Sequence, residues 1–271
     1  MKSLFTVENN HYLPTEHAAS PWGPVTLHGG ASAGLMTALM EEQFHSDSMQ
    51  LVRLTVDLFR PVPMAALEPR GRVIRDGKRI KLLEMSLFHE GLEICRSHGL
   101  VIEKQAIILP AAAQLPTAPP QALVDAFKQG EVMGINALES SSNVEYPPGL
   151  HNLIALKPVS LNIGTGRGCS WVRLPVNVRQ GKANSPLVTI ATLADFANGF
   201  AQLHLNAEQG FINADLTLNL HRLPVDEWIA IDARTLAQPH GISLVETVLY
   251  DRHGMIGRVS QSNLTMPTYG H

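Results

Sequence analysis

The feature that most constrains this chain is an internal repeat. Residues 51–102 superimpose on residues 213–264 without a gap, at a constant offset of 162. Leu54, Thr55, Leu58 and Arg60 fall on Leu216, Thr217, Leu220 and Arg222. Arg72, Ile80, Leu82, Glu84 and Leu87 fall on Arg234, Ile242, Leu244, Glu246 and Leu249, and Ile94 and Arg96 fall on Ile256 and Arg258. Eleven such identities are more than chance supplies, and the period is far too long for a solenoid unit. The repeat predicts a duplicated domain. A chain of 271 residues has room for two copies of ordinary size.

Each copy carries the same order of elements. A helix is predicted over residues 30–43 in one half and 187–205 in the other. Strands follow. Ile212, Ala214, Leu216, Leu218 and Leu220 alternate with Asn213, Asp215, Thr217, Asn219 and His221, which predicts a strand with one buried face. Val52, Leu54, Val56 and Leu58 repeat the pattern. Further strands are predicted over 71–76, 81–89 and 92–101, matched by 228–237, 243–251 and 255–266. His89-Glu90-Gly91 and Asp251-Arg252-His253-Gly254 read as hairpin turns, because glycine supplies a positive φ. The copies span 1–104 and 151–271. Between them lies 105–150, an Ala- and Pro-rich extended linker over 105–120, then a short helix over 122–128 and a loop over 140–149. One helix before an antiparallel meander buries its apolar face only if the sheet curls around it. The predicted class is α+β, with that unit present twice.

Composition removes several function classes. The formal charge is −3 and the pI about 6.4. The lack of an excess of Lys and Arg argues against a phosphate-neutralising nucleic-acid binder and against a polybasic membrane anchor. Charged residues make up 17%, low against a usual ~25%, so a sizeable core is expected. Residues 1–10 carry no apolar run of signal-peptide length, and 106–113 fall far short of a membrane span. A soluble cytoplasmic protein is expected. Cys95 and Cys169 form no disulfide framework and fit a reducing compartment, with one bridge between them left open. The 12 histidines show no metal-ligand spacing. Gly164–Gly168 lacks the Lys-Ser/Thr ending of a phosphate loop, and no Gly-x-Ser-x-Gly elbow occurs.

Three places carry candidate chemistry. In Trp22–Ala33, WGPVTLHGGASA, small residues precede a helix whose first-turn amides can hold an oxyanion; the plain alternative is a turn that starts the helix. Asp195 lies in Leu193-Ala194-Asp195-Phe196, among apolar neighbours. There desolvation raises a carboxyl pKa and favours a general base, or the residue is a cap or buried hydrogen-bonding group. The run Val259-Ser260-Gln261-Ser262-Asn263 puts amides inside an apolar strand pattern, facing a wet cavity or on a solvated edge. Arg60 and Arg222 recur at strand ends, with Glu84 and Glu246 as candidate partners. Their sharper alternative is contact with a phosphate of a nucleotide-bearing substrate.

These residues resemble the acyl-CoA thioesterase II-like family of double hot-dog proteins, from about Trp22 to Pro267. The specific pieces are Trp22…His28-Gly29-Gly30, Arg60-Pro61-Val62-Pro63, and Ser185-Pro186-Leu187 leading to Leu193-Ala194-Asp195. Others are Phe211-Ile212-Asn213-Ala214-Asp215-Leu216-Thr217 with His221-Arg222, Asp232-Ala233-Arg234-Thr235, and Leu249-Tyr250-Asp251 ahead of Gly257-Arg258…Gln261. The resemblance implies a double hot-dog fold and hydrolysis of a fatty acyl-CoA, or acyl-carrier, thioester by water. The family's Asp maps to Asp195 as general base and its Gln to Gln261. Its Ser/Thr maps to Asn213, a departure that removes a hydroxyl. Asn213 also falls on the polar face by parity, and reaches a cavity only if that face or a bulge at the strand start lines it. His28, Gly29, Gly30 and Ala31 would hold substrate and oxyanion. No cofactor is implied, with CoA entering as part of the substrate. Homodimers or homotetramers through sheet edges are implied, and a monomer stays open. An acyl-thioester binding module without catalysis is the rival that Asn213 favours; a hot-dog dehydratase or hydratase is the one that His28 favours. At the same offset, Ala33 and Gly99 stand opposite Asp195 and Gln261, so one active site is expected.

Overall fold

The structure is a computed structural model, and it describes residues 2–267 apart from 45, 140–146, 163 and 206–208. The loop expected over 140–149 therefore lies mostly outside the described residues. The chain opens with two hairpins, β1 (Ser3–Glu8) with β2 (His11–Pro14) and β3 (Ala19–Ser20) with β4 (Gly23–Leu27). Helix α1 (Gly29–Glu41) precedes β5 (Met49–Leu58), β6 (Glu68–Asp76), β7 (Ile80–His89) and β8 (Leu92–Glu103). The connecting segment holds α2 (Gln121–Gln129) and α3 (Asn136–Glu139). The second half runs β9 (Ala155–Asn162), β10 (Arg167–Arg173), β11 (Asn177–Arg179), α4 (Pro186–Ala194) and α5 (Phe196–Phe200). It ends with β12 (Gln209–Asn213), β13 (Asp215–Leu220), β14 (Trp228–Ala237), β15 (Ile242–Asp251) and β16 (Gly254–Pro267).

Ten strands form one continuous sheet in the order β6-β7-β8-β5-β13-β16-β15-β14-β10-β9, and β12 also pairs with β16. The fold is α+β, a double hot-dog in which the sheet covers α1, α4 and α5. The repeat survives in three dimensions. Moved by 162 residues, β7 becomes β15, and the register shift at Leu87/Phe88 becomes the shift at Leu249/Tyr250. The copies join edge to edge through β5 and β13. Thr55 pairs with Thr217, its own counterpart, Leu54 with Leu218, and Val56 with Leu216. That register is isologous, as at the two-fold interface of a dimer.

Four expectations change. The second helix is not continuous over 187–205; it breaks at Asp195, between α4 and α5. The alternation over 212–221 does not hold throughout. Asn213 pairs with Asn263, whereas Thr217 pairs with Ser260. Four steps on one strand thus oppose three on the other, which is a β-bulge. It flips the parity: Phe211 is buried before it and Leu216, Leu218 and Leu220 after it, while Ala214 is exposed. Glu84 and Glu246 do not pair with Arg60 and Arg222. They face Arg72 and Arg234, their cross-strand neighbours, at 2.7 and 2.5 Å. Arg222 instead grips the buried Asp251 with two bonds of 2.6 Å, and Arg60 donates to the Glu93 carbonyl. The phosphate role for Arg222 therefore gives way to an internal ion pair. Lastly, Cys95 and Cys169 are both free and buried, so the bridge left open is not formed.

Candidate active site

The two long helices lie side by side and antiparallel. The Ser185 hydroxyl, N-cap of α4, donates to Glu41 at the far end of α1 (2.6 Å). Gly34 passes the Thr192 side chain so closely that a Cβ would run into its hydroxyl. At the other end, the first turn of α1 meets the residue on which α4 stops. His28 is the N-cap of α1, in extended conformation, and Gly29 and Gly30 follow. A Cβ on Gly29 would sit 2.8 and 2.9 Å from the two Asp195 carboxylate oxygens, and one on Gly30 would run into the Thr192 carbonyl. The absence of a Cβ is what lets the carboxylate reach the helix end.

Asp195 is held from three directions. The Gly30 N–H donates to Oδ2 at 2.8 Å, and the Asn213 amide donates to Oδ1 at 2.8 Å. His28 Nδ1 stands 2.9 Å from Oδ2 and 3.1 Å from the Gly30 nitrogen. A lone pair on Nδ1 would repel the carboxylate, so Nδ1 carries the proton and donates to Asp195, and the Gly30 N–H belongs to the carboxylate. The imidazole also stacks on Phe196, with centroids 4.5 Å apart at 27°.

Asp195 is 7% exposed. Burial pushes its pKa up, but the donors from His28, Asn213 and Gly30 outweigh burial and hold it below the ordinary carboxylate value. The α1 dipole acts in the same direction. This corrects the expectation that burial raises its pKa: the environment is apolar in the sequence but rich in donors in the fold. Nearby His151 is pushed down to about 4, chiefly by burial.

The bulge brings Asn213 to the site. Asn213 and Asn263 are cross-strand partners, and each sends a rung to the broken helix. Asn213 reaches Asp195, and the Asn263 amide donates to Asn198 Oδ1 at 2.7 Å. Asn198, one turn past Asp195, is a contributor that the sequence reading missed as a site residue; the i, i+3 spacing of Asp195 and Asn198 was the available signal. In the run 259–263, Val259, Gln261 and Asn263 face inward, while Ser262 is exposed. Gln261 lies next to Asn263 on that inner face. It is fully buried, and neither its amide nitrogen nor its oxygen has a partner among the described residues. A buried carboxamide without partners is costly and calls for a reason.

The structure thus brings together Asp195, Asn213, His28, Gly29 and Gly30. It does not join Gln261 to Asp195 by a hydrogen bond. The oxyanion role of the α1 amides is also reduced. Gly30 N–H is taken by Asp195 and Ala31 N–H by the His28 carbonyl at 2.9 Å, which leaves Gly29 without a backbone partner among the described residues. The Ala33–Asp195 equivalence fails as well. The helix caps His28 and Ser185 stand 157 apart rather than 162, which puts Ala38 opposite Asp195. A cleft of about 410 Å³ lined by Arg167, Asp232, Arg234, Glu246 and Arg258 shares no residue with this site. Among the described residues no three His, Cys, Asp or Glu side chains converge as for a metal ion, and no helix is long and apolar enough to cross a membrane.

Two family models match in order, the acyl-CoA thioesterase N-terminal domain over residues 18–102 and the acyl-CoA thioesterase C-terminal domain over residues 135–265. No curated protein matches the chain. Among solved structures it is similar to a putative thioesterase II from Thermobifida fusca, at 16% identity and a TM-score of 0.68, with 96% of this chain and 94% of that one covered. It is similar to the acyl-CoA thioesterase II TesB2 of Mycobacterium marinum, at 17% identity and a TM-score of 0.64, covering 98% and 95%. A hot-dog protein of unknown function from Alicyclobacillus acidocaldarius matches at 12% identity and a TM-score of 0.68, covering 97% and 95%. At such identities these structures speak for the fold alone. Since the two domain models fall in order on the two copies, the chain belongs to the acyl-CoA thioesterase family, whose members are thioester hydrolases.

Proposed function

We propose that this chain hydrolyses fatty acyl-CoA or acyl-carrier thioesters at the cluster around Asp195. The observation that carries the reading is a carboxylate buried where the two copies meet and held by His28, Gly30 and Asn213. A fixed negative charge in a water-poor site activates a water far better than the same charge in solvent. Gln261 offers a donor and an acceptor to that water or to the thioester carbonyl. Gly29 N–H is the remaining α1 amide for the oxyanion. The thioester carbonyl is already electrophilic and the thiolate leaves readily, so the proposed step draws on no cofactor. CoA enters only with the substrate. Two free, buried cysteines fit a reducing compartment.

The test is release of free thiol from a panel of acyl-CoAs of increasing chain length. Turnover is expected for wild type, and Asp195→Asn is expected to lower kcat by roughly 10³ or more, as when a carboxylate partner is neutralised in a hydrolytic dyad. Unchanged turnover in that variant removes Asp195 from the reaction. Acyl-CoA binding without thiol release from wild type would support the non-catalytic module instead. The His28–Asp195 contact also favours a second reading, addition of water to a 2-enoyl thioester. Loss of the conjugated double bond without loss of the thioester would select it.

A further inference from the structure

We propose that His28 Nε2, rather than the Asp195 carboxylate, is the base that takes the proton from water, with Asp195 acting through it. The inference rests on the thioester-hydrolysis reading and assigns a role within it. A carboxylate offers about four lone-pair positions. On Asp195 one is used by Asn213 and two by Gly30 and His28. The Gly29 backbone covers the carboxylate so closely that a Cβ there would touch both oxygens. One position, on Oδ1, is left, and it lies beside the Gly29 backbone.

The imidazole has the opposite arrangement. Its Nδ1–H is committed to Asp195, which leaves the Nε2 lone pair as its basic position. Nε2 has no hydrogen-bond partner among the described residues, and it is not among the polar atoms sealed from solvent. The ring is fixed by its Nδ1–H bond to Asp195 on one side and by Phe196 on the other. A carboxylate that orients an imidazole through Nδ1–H, so that Nε2 faces the reacting water, is the arrangement of a hydrolytic triad without its serine. Asp195 and His28 come from different copies, so neither copy holds a working base alone.

The step balances without a co-reactant. As the water oxygen adds to the thioester carbon, one water proton passes to Nε2, and the ionised Asp195 stabilises the imidazolium. The carbon–sulfur bond then breaks and its electron pair leaves with sulfur. The sulfur takes the proton back from Nε2, giving free thiol and the carboxylic acid, and His28 is neutral again. In these terms His28 is a catalytic residue and Asp195 a positioning residue.

The experiment uses acyl-CoA substrates that wild type turns over. His28→Asn keeps an amide N–H close to the place of Nδ1 but has no base. Its kcat is expected to fall by about 10²–10³, the usual contribution of a general base, with KM and Tm nearly unchanged. His28→Ala is expected to regain activity with added imidazole, and across a series of substituted imidazoles the rescued rate is expected to rise with their basicity. A structural role would not produce that dependence. If His28→Asn keeps a third or more of wild-type kcat while Asp195→Asn is inactive, the carboxylate is the base and the assignment is wrong. Rescue of His28→Ala that is indifferent to basicity overturns it equally. Failure of wild type to release thiol from any member of the panel strikes the hydrolysis reading itself.

Discussion

The two copies share a frame and divide the chemistry. Across the meander strands they repeat at one offset, including the bulge beside the β7–β8 and β15–β16 turns and the Arg–Glu pair across each adjacent ladder. Yet the first copy supplies His28, Gly29 and Gly30, and the second supplies Asp195, Asn213 and Gln261. The isologous joint at Thr55–Thr217 explains why this works. A duplicated dimer places the helix start of one copy against the helix end of the other, and after fusion each copy is free to keep only half of a site. The site is a property of the joint.

Another pair of equivalent residues shows the same divergence in stability. Arg222 neutralises Asp251, whose side chain is fully buried, whereas its counterpart Arg60 holds one backbone carbonyl at the surface. His89 stands where the second copy has Asp251. Arg222→Ala strands a buried carboxylate and is expected to cost about 3–5 kcal/mol, read from urea unfolding midpoints. Arg60→Ala is expected to leave the midpoint close to wild type. Equal losses in the two variants would break the comparison.

The joint itself is tested by Gly29→Ala. The added methyl displaces the Asp195 carboxylate but meets no backbone atom among its nearest contacts. Activity is expected to drop by about 10² while Tm changes by only a degree or two. Gly30→Ala, whose methyl meets the Thr192 carbonyl, is expected to lower both. If Gly29→Ala retains full turnover, the carboxylate does not need its present place against α1.

These contrasts show what the sequence carries and what it does not. The meander strands of the repeat were legible because period-two patterning and the repeat report the same elements independently, whereas β1–β4 and β9–β11 lie outside the repeat and were not read. The identity of Asp195, Asn213 and Gln261 as candidates was legible through the resemblance. The break at Asp195 was legible only as the cap alternative for that residue: Asp195, Asn198 and Gly199 are poor helix formers, but the apolar pattern runs on past them. The bulge was hidden because alternation of apolar residues continues through Ile212 and Ala214, although the pairing slips there. The Arg–Glu partners were missed because cross-strand contacts follow register, and register joins Arg72 to Glu84 and Arg234 to Glu246. His28 was placed at the oxyanion because its partner Asp195 lies in the other copy, and the sequence offers no local cue to a contact set by helix packing.

Asn213 sharpens the comparison within the family pattern. Asn213→Thr restores the hydroxyl that the resemblance calls for, but shortens the reach to Asp195. If the hydroxyl only holds the carboxylate, kcat is expected to stay within about tenfold of wild type, since one hydrogen bond to a charged group is worth about 1.5–3 kcal/mol and is replaced here by another. Asn213→Leu removes the donor altogether and is expected to fall further. A Thr variant no better than Leu would mean that the amide does more than hold Asp195.

The smallest effect concerns acid. The pKa of Asp251 lies below the ordinary value of 3.8: burial raises it, but the Arg222 bonds and the N–H groups of Val225 and His253 outweigh burial. A carboxyl whose folded pKa is depressed stabilises the fold above its unfolded pKa. That contribution fades as pH falls toward the folded pKa, because the unfolded chain then binds the proton more readily. The unfolded chain is common to both, so the stability difference between wild type and Arg222→Ala should be full at high pH, and shrink as pH falls through the raised pKa of the stranded Asp251 in the variant toward its depressed pKa in wild type. Arg60→Ala has no such carboxylate to uncover, so its difference from wild type should not vary with pH over the same range. Urea titrations at a series of pH values measure both. A difference for Arg222→Ala that persists undiminished at pH 3 would mean that its cost comes from lost packing of the guanidinium stem rather than from the charge on Asp251.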